Sequence, residues 1–187
     1  MVRRDERELL LGQKGLAVWM TGLSGAGKTT LARAVERRLH DSGRLAAVLD
    51  GDVLRAGLNA NLGFSDADRA ENIRRVAETA RLLVSHGVIV VVATISPTEN
   101  LRALARGIVG EADLLEVFVH CPLEVCERRD VKGLYRRARS GELSGFTGVS
   151  APFDAPAAPA LTLHTESLSI DQAAGALLEA IAARATR

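Results

Sequence analysis

A chain of 187 residues, 47% hydrophobic and 25% charged, suits one globular domain with a full-sized core. A formal charge of +1 offers no global attraction for nucleic acid or an anionic membrane, and 3% aromatics leave little surface for stacking single-stranded bases. The longest apolar run, Val88 to Ala93, is far too short to cross a bilayer.

The chain opens with Arg3, Arg4, Asp5, Glu6, Arg7 and Glu8 ahead of three leucines, a mixed-charge pattern that makes neither a signal nor a transit peptide. Residues 1–14 read as an N-terminal extension. Leu16–Met20 reads as a buried strand, and Gly22-Leu23-Ser24-Gly25-Ala26-Gly27-Lys28-Thr29 follows it with the spacing G-x-x-x-x-G-K-[ST]. A helix over Lys28–Ser42 comes next, with Leu31, Val35 and Leu39 inward and Arg33, Arg37 and Arg38 outward. A strand, a glycine-rich loop and an amphipathic helix in that order form a phosphate cradle. Backbone N–H groups converge on phosphate oxygens at the positive helix end, Lys28 reaches the β- and γ-phosphates of ATP, and Thr29 holds Mg²⁺. Only three lysines stand against 21 arginines, so Lys28 sits where a compact ammonium is wanted in place of a planar fork.

Ala46–Leu49 reads as the second strand and ends in Asp50-Gly51-Asp52. The third, Val88–Ala93, ends in Thr94-Ile95-Ser96-Pro97, without the acid that motor ATPases carry there, and no Asn-Lys-x-Asp guanine-reading motif occurs. This moves the reading from switch or motor to kinase. Asp50 is expected to hold Mg²⁺ or its waters, and Asp52 to accept the acceptor's hydroxyl proton. Alone, Asp-Gly-Asp has the look of a surface turn.

Between these strands, Asp66–Ser85 has helical spacing, and Ser65 with Asp68 marks its start. Ile73, Val76, Ala77, Ala80, Leu83 and Val84 share one stripe; Arg69 falls on that stripe and Asn72 at its border. A cation on the core side needs an anion, so the pair either grips substrate or marks where the stripe leaves the core. Helices are expected over Glu99–Val109, Leu123–Arg129, Leu134–Ser140 and Ile170–Arg184, the last started by Ser169 with Gln172. Strands are expected over Leu115–Val119 and Leu161–Leu163. The alternation implies βαβ units in an α/β fold with a doubly wound parallel five-stranded sheet.

Arg128, Arg129, Lys132, Arg136, Arg137 and Arg139 crowd a short stretch, which reads as a solvated face or a lid over negative charge. Residues 128–160 are assigned to this lid and a following loop. Phe146, inside the stretch Gly141–Gly148, either stacks on a base or anchors its loop. Ala151–Ala160 carries Pro152, Pro156 and Pro159 and reads as an ordered surface loop within one domain. Cys121 and Cys126 read as small reduced core thiols, which places the chain in a reducing, cytoplasmic setting.

Taken together, Gly22–Thr29, Leu49-Asp-Gly-Asp-Val-Leu-Arg55, Leu62-Gly-Phe64-Ser-Asp-Ala-Asp-Arg69-Ala-Glu-Asn72, Ile95-Ser96-Pro97, Cys121-Pro-Leu-Glu-Val-Cys126, Lys132-Gly-Leu-Tyr135 and Gly145-Phe146 resemble the adenylyl-sulfate kinases, from about Gly15 to Thr165. The resemblance implies ATP-dependent phosphorylation of the 3′-hydroxyl of adenosine 5′-phosphosulfate. The expected ATP contacts are Gly22 to Thr30 with Arg129. The resemblance implies sulfonucleotide contacts from Asp52, Arg55, Phe64, Arg69, Asn72, Ile95, Ser96, Lys132, Gly145 and Phe146, with Phe64 and Phe146 clamping the adenine. It also implies a homodimer and an active-site phosphoserine at Ser96. In-line transfer needs no covalent relay, so the chemistry itself makes Ser96 a contact residue at a strand end. The pattern departs from the family at Thr98, Glu99 and Val131, and Glu99 adds negative charge close to the expected anion site. The competing readings are a P-loop kinase for another small hydroxyl compound, such as a nucleoside or an antibiotic, and a regulatory nucleotide-binding homologue without turnover.

Overall fold

The computed structural model describes residues 2–185. The elements, in chain order, are α1 (Arg4–Leu11), β1 (Leu16–Thr21), α2 (Lys28–Asp41), β2 (Ala46–Asp50), α3 (Gly51–Ala56), α4 (Asp66–Val84), β3 (Ile89–Ala93), α5 (Glu99–Val109), a 3₁₀ turn (Glu111–Asp113), β4 (Leu114–His120), α6 (Leu123–Arg129), α7 (Leu134–Arg139), β5 (Leu161–His164) and α8 (Ile170–Ala185). The five strands form one parallel sheet in the order β2-β3-β1-β4-β5.

Strand alternation sorts the core into two layers. Leu16, Val18 and Met20 of β1 face α2 and α8, where Leu31, Val35, Leu39, Leu177 and Ile181 are buried. Ala17 and Trp19 face the opposite way, onto Ile73, Val76, Ala77 and Ala80 of α4 and Ala105 and Val109 of α5. Each fully buried aliphatic side chain contributes roughly 1.5–3 kcal/mol relative to exposure, so burial on both faces strongly favours β1 at the sheet centre. Among the expected buried strands, the two at the sheet edges, β2 and β5, are exceptions. Among the described strands each has a neighbour on one side only, so the first three residues of β2 are half-buried and in β5 Leu163 alone is fully buried.

Three short elements were not legible in the sequence. The 3₁₀ turn and α3 are each only a few residues long. Helix α1 docks the N-terminal segment through Arg4, whose guanidinium donates to both carboxylate oxygens of Asp113 and to Glu8 Oε1. Just beyond it, buried Gln13 donates to the carbonyls of Leu45 and Gly87 and accepts from the Leu45 N–H. The segment is thereby bound to the start of β2 and the turn before β3. Of the two expected caps, Ser169 and Gln172 exchange both backbone bonds. Ser65 accepts from the Asp68 N–H, but its hydroxyl donates to the Asp68 carboxylate, leaving a one-way cap.

Candidate active site

The carboxyl ends of β1, β2 and β3 open onto one cavity of about 1110 Å³. Its walls include Lys28, Thr29, Asp50, Asp52, Arg69, Ser96 and Phe146, so residues scattered over much of the chain share a single chamber.

The glycine-rich turn between β1 and α2 is held in a shape that side chains would spoil. A Cβ on Gly22 would sit 2.3 Å from the Val119 carbonyl oxygen, and Gly27 takes φ 100° as it starts α2. Lys28 is buried, and its ammonium donates to the carbonyls of Gly22 (2.7 Å) and Leu23 (2.8 Å). Burial lowers its pKa to about 8, although the nearby carboxylates of Asp52 and Asp50 work against that drop. The turn is also clamped from outside. Arg129 donates to Gly25 O (3.2 Å) and Thr165 O (2.8 Å), the Thr165 hydroxyl donates to Ala26 O, and Tyr135 Oη donates to Ser24 O. Of the expected nucleotide contacts, Ser24, Gly25, Gly27, Lys28, Thr29, Thr30 and Arg129 line the cavity. Gly22, Leu23 and Ala26 do not: Leu23 instead lines a smaller pocket beside Gly148, and Ala26 is fully buried.

Thr29 Oγ1 donates to Asp50 Oδ2 at 2.6 Å. Asp50 also caps α3 by accepting from the N–H groups of Asp52 and Val53. Burial raises its carboxyl pKa, but the Thr29 hydroxyl, these two N–H groups and the Lys132 charge outweigh that effect, so it stays below the usual range and ionised. Asp52 is exposed and forms an ion pair with Lys132.

A second group of cations gathers near Phe64. Arg55 lies 4.3 Å over the exposed Phe64 ring and donates to Leu62 O and Gly63 O. Arg69 leaves the core stripe, as its position allows, and donates to Phe64 O (3.0 Å), Thr147 Oγ1 (3.3 Å) and Gly145 O (2.6 Å). Partial burial and the neighbouring Arg69 cation depress the Arg55 pKa, and the Asp68 and Asp52 carboxylates offset only part of that drop. Asn72 is buried, and its Oδ1 accepts from Asn59 Nδ2 at 2.9 Å. Phe146 packs edge-on against Tyr135, with centroids 5.0 Å apart, while still lining the cavity; it anchors its loop and offers a face to a ligand.

Ser96 is 2% exposed and holds φ 43°, an uncommon conformation for a residue with a side chain. Its hydroxyl accepts from Trp19 Nε1 (3.0 Å) and meets Thr94 Oγ1 (2.8 Å). Its carbonyl accepts from Thr21 and from Arg102 Nη1. Arg102, 2% exposed, is itself paired with Glu99 and Glu116, and Arg106 bridges the same two acids. Glu99 is therefore neutralised by two arginines and is not part of the cavity wall, which removes the expected conflict with bound anions.

Residues 14–164 match the family described as adenylylsulphate kinase. This chain belongs to the adenylylsulphate kinase family. An adenylyl-sulfate kinase from Bacteroides thetaiotaomicron is 53% identical over 181 residues, covering 97% of this chain and 90% of that protein. The APS kinase CysC of Mycobacterium tuberculosis, solved in complex with AMPPNP and APS, superposes with a TM-score of 0.86 at 51% identity, over 89% of this chain and 96% of that one. A hexameric APS kinase from Thiobacillus denitrificans superposes with a TM-score of 0.66 at 32% identity, over 90% of this chain and 29% of that one.

Sequence reasoning missed several residues that build this kinase site. Arg102 lies on the buried face of α5 with Ala105 and Val109, so the argument that singled out Arg69 applied to it equally. Arg33 and Leu168 line the cavity, Thr165 both lines it and clamps the phosphate turn, and Asn59 orients Asn72. No local signal marks these four, because their roles arise from contacts distant in sequence.

Proposed function

We propose that the chain is a single P-loop kinase domain that transfers the γ-phosphoryl group of ATP to the 3′-hydroxyl of adenosine 5′-phosphosulfate. The observation that carries this reading is the shared cavity. It joins a lysine-bearing phosphate turn to a pocket lined by Arg55, Arg69, Phe64 and Phe146, cations and rings that complement a second nucleotide.

The triphosphate lies along the turn from Gly22 to Thr30, where backbone N–H groups and Lys28 take its charge and Arg129 fixes the turn. Phe64 and Phe146 hold the acceptor's adenine. Arg55, Arg69 and Lys132 meet its phosphosulfate or the transferring phosphoryl group, and Asn72, Ile95, Ser96 and Gly145 complete the acceptor's contacts. Asp52 takes the proton of the 3′-hydroxyl as that oxygen bonds to the γ-phosphorus, the bond to the β,γ-bridging oxygen breaks, and ADP leaves. The Lys132–Asp52 pair then has to open, which makes residues 128–160 a lid whose closure follows substrate. Ser96 positions the end of β3 and forms no phosphoenzyme, since its hydroxyl is already engaged by Trp19 and Thr94.

Mg²⁺ fits the oxygens that Thr29 and the ionised Asp50 bring together at 2.6 Å. The ion would neutralise charge on the β- and γ-phosphates, held by Thr29 directly and by Asp50 through water. Two copies of the chain are the expected assembly, on the family resemblance, and light scattering on purified protein tests it. No described helix is long and apolar enough to cross a membrane. Free, buried Cys121 and Cys126 support a reducing cytoplasmic setting.

A coupled assay of ADP release tests the function. Release that depends on adenosine 5′-phosphosulfate is expected. Equal release with a nucleoside or an antibiotic acceptor would refute the assigned substrate, and tight binding of both nucleotides without turnover would refute an enzyme.

A further inference from the structure

Outside the nucleotide cavity, the ends of β4 and β5 bring two histidines and a carboxylate together. His120 and His164 are direct partners across the parallel β4–β5 ladder, with ring centroids 4.8 Å apart. Glu166, two residues past His164, turns back so that its Oε1 lies 3.6 Å from His120 Nδ1 and 3.4 Å from His164 Nδ1. The donor atoms of all three residues lie within 4.8 Å of one another.

We propose that His120, His164 and Glu166 bind a borderline divalent metal ion of the Zn²⁺ type, at a site separate from the catalytic Mg²⁺ and independent of the kinase reading. Zn–N and Zn–O bonds of roughly 2.0–2.1 Å put neighbouring ligands of a tetrahedron about 3.4 Å apart, close to the spacing of both histidine nitrogens from Glu166. The same spacing is long for a hydrogen bond. Among the described residues His120 Nδ1 indeed has no hydrogen-bond partner, and it is closed off from solvent. A shielded, unpaired imidazole nitrogen is costly unless something binds it, and a metal ion supplies the missing interaction. Two imidazoles and one carboxylate select a borderline ion over hard Mg²⁺ or Ca²⁺, and the half-exposed cluster leaves a fourth position for water or another ligand. The frame is rigid: strand pairing fixes both histidines, and the Phe118 ring packs edge-on against His120 at 5.4 Å.

The site also touches the nucleotide machinery through Thr165, which stands between two of its ligands. Its N–H donates to His120 O, its hydroxyl to Ala26 O of the phosphate turn, and its carbonyl accepts from Arg129. A bound ion would therefore stiffen the clamp on that turn.

The test is calorimetric titration of Zn²⁺ into the full chain after chelator treatment, with thermal melts and a Co²⁺ spectrum. One saturable equivalent is expected, with a higher melting temperature. His164→Ala and the near-isosteric Glu166→Gln should each weaken binding at least about tenfold, since removing even an outer-sphere partner of a metal ligand costs 10–100-fold. Co²⁺ should show visible d–d bands without thiolate charge transfer. Equal Zn²⁺ affinity in wild type and both variants, or no saturable binding, overturns the proposal. So does a thiolate charge-transfer band, which would place the ion on Cys121 or Cys126.

Discussion

The Lys132 ammonium is paired with the Asp52 carboxylate, joining the loop after α6 to the first turn of α3 at the wall of the nucleotide cavity. Both side chains are more than half exposed, so the pair adds at most about 1 kcal/mol to stability. In the proposed mechanism the pair covers Asp52, the assigned base, until substrate separates the two.

Asp52→Asn should therefore lower kcat by about 10²–10⁴, the usual contribution of a positioned base, and leave the melting temperature nearly unchanged. Steady-state kinetics and a thermal melt on the same preparation check this. An unchanged kcat would remove Asp52 from the chemistry.

The proposed role of Lys28 implies a pH limit. Its contribution to holding phosphate needs the protonated amine, and burial brings its pKa to about 8 in the free protein. As pH rises through that value the cation is lost, so kcat/KM for ATP should fall above about pH 8. Bound phosphates favour the charged form, so kcat should hold to higher pH. A kcat/KM profile flat to pH 10, roughly the pKa of an ordinary lysine, would contradict the assignment.

The acceptor pocket is testable by asymmetry. Phe64→Ala should raise KM for adenosine 5′-phosphosulfate by the loss of about 1–3 kcal/mol of stacking, with KM for ATP unchanged. Arg69→Ala should act in the same direction and also loosen the loop it holds through Gly145. Equal effects on both substrates would place these residues in the fold rather than in the acceptor pocket.

Ser96→Ala should cost roughly 1–3 kcal/mol of stability, because Trp19 Nε1 loses its acceptor in a buried site. Turnover at a temperature well below the melt should persist, and wild-type protein quenched during turnover with labelled ATP should carry no phosphoserine. Rapidly turning-over label at Ser96 is the opposing result.

Glu99→Gln should leave acceptor KM within about twofold, since Arg102 and Arg106 already neutralise that carboxylate. A large gain in acceptor affinity would mean that Glu99 faces the bound anion.

Local chemistry explains why much of this molecule was readable from its sequence. The spacing Gly22 to Thr29 requires a phosphate turn, the unbroken apolar run along β1 requires two covered sheet faces, and Arg69 on an apolar stripe left two outcomes, a grip on substrate or an exit of the stripe from the core. These features are set by the pleat, the helical period and the cost of burying charge, all of which act within a few residues. The tertiary structure alone decided the remainder. Strand order placed Ser96 against Trp19 and Arg102, docking of α1 buried Gln13, lateral pairing brought His120 beside His164, and loop placement drew Glu99 to two arginines and Lys132 to Asp52. Those relationships join residues far apart along the chain, and the sequence carries no short-range pattern for contacts that only packing selects.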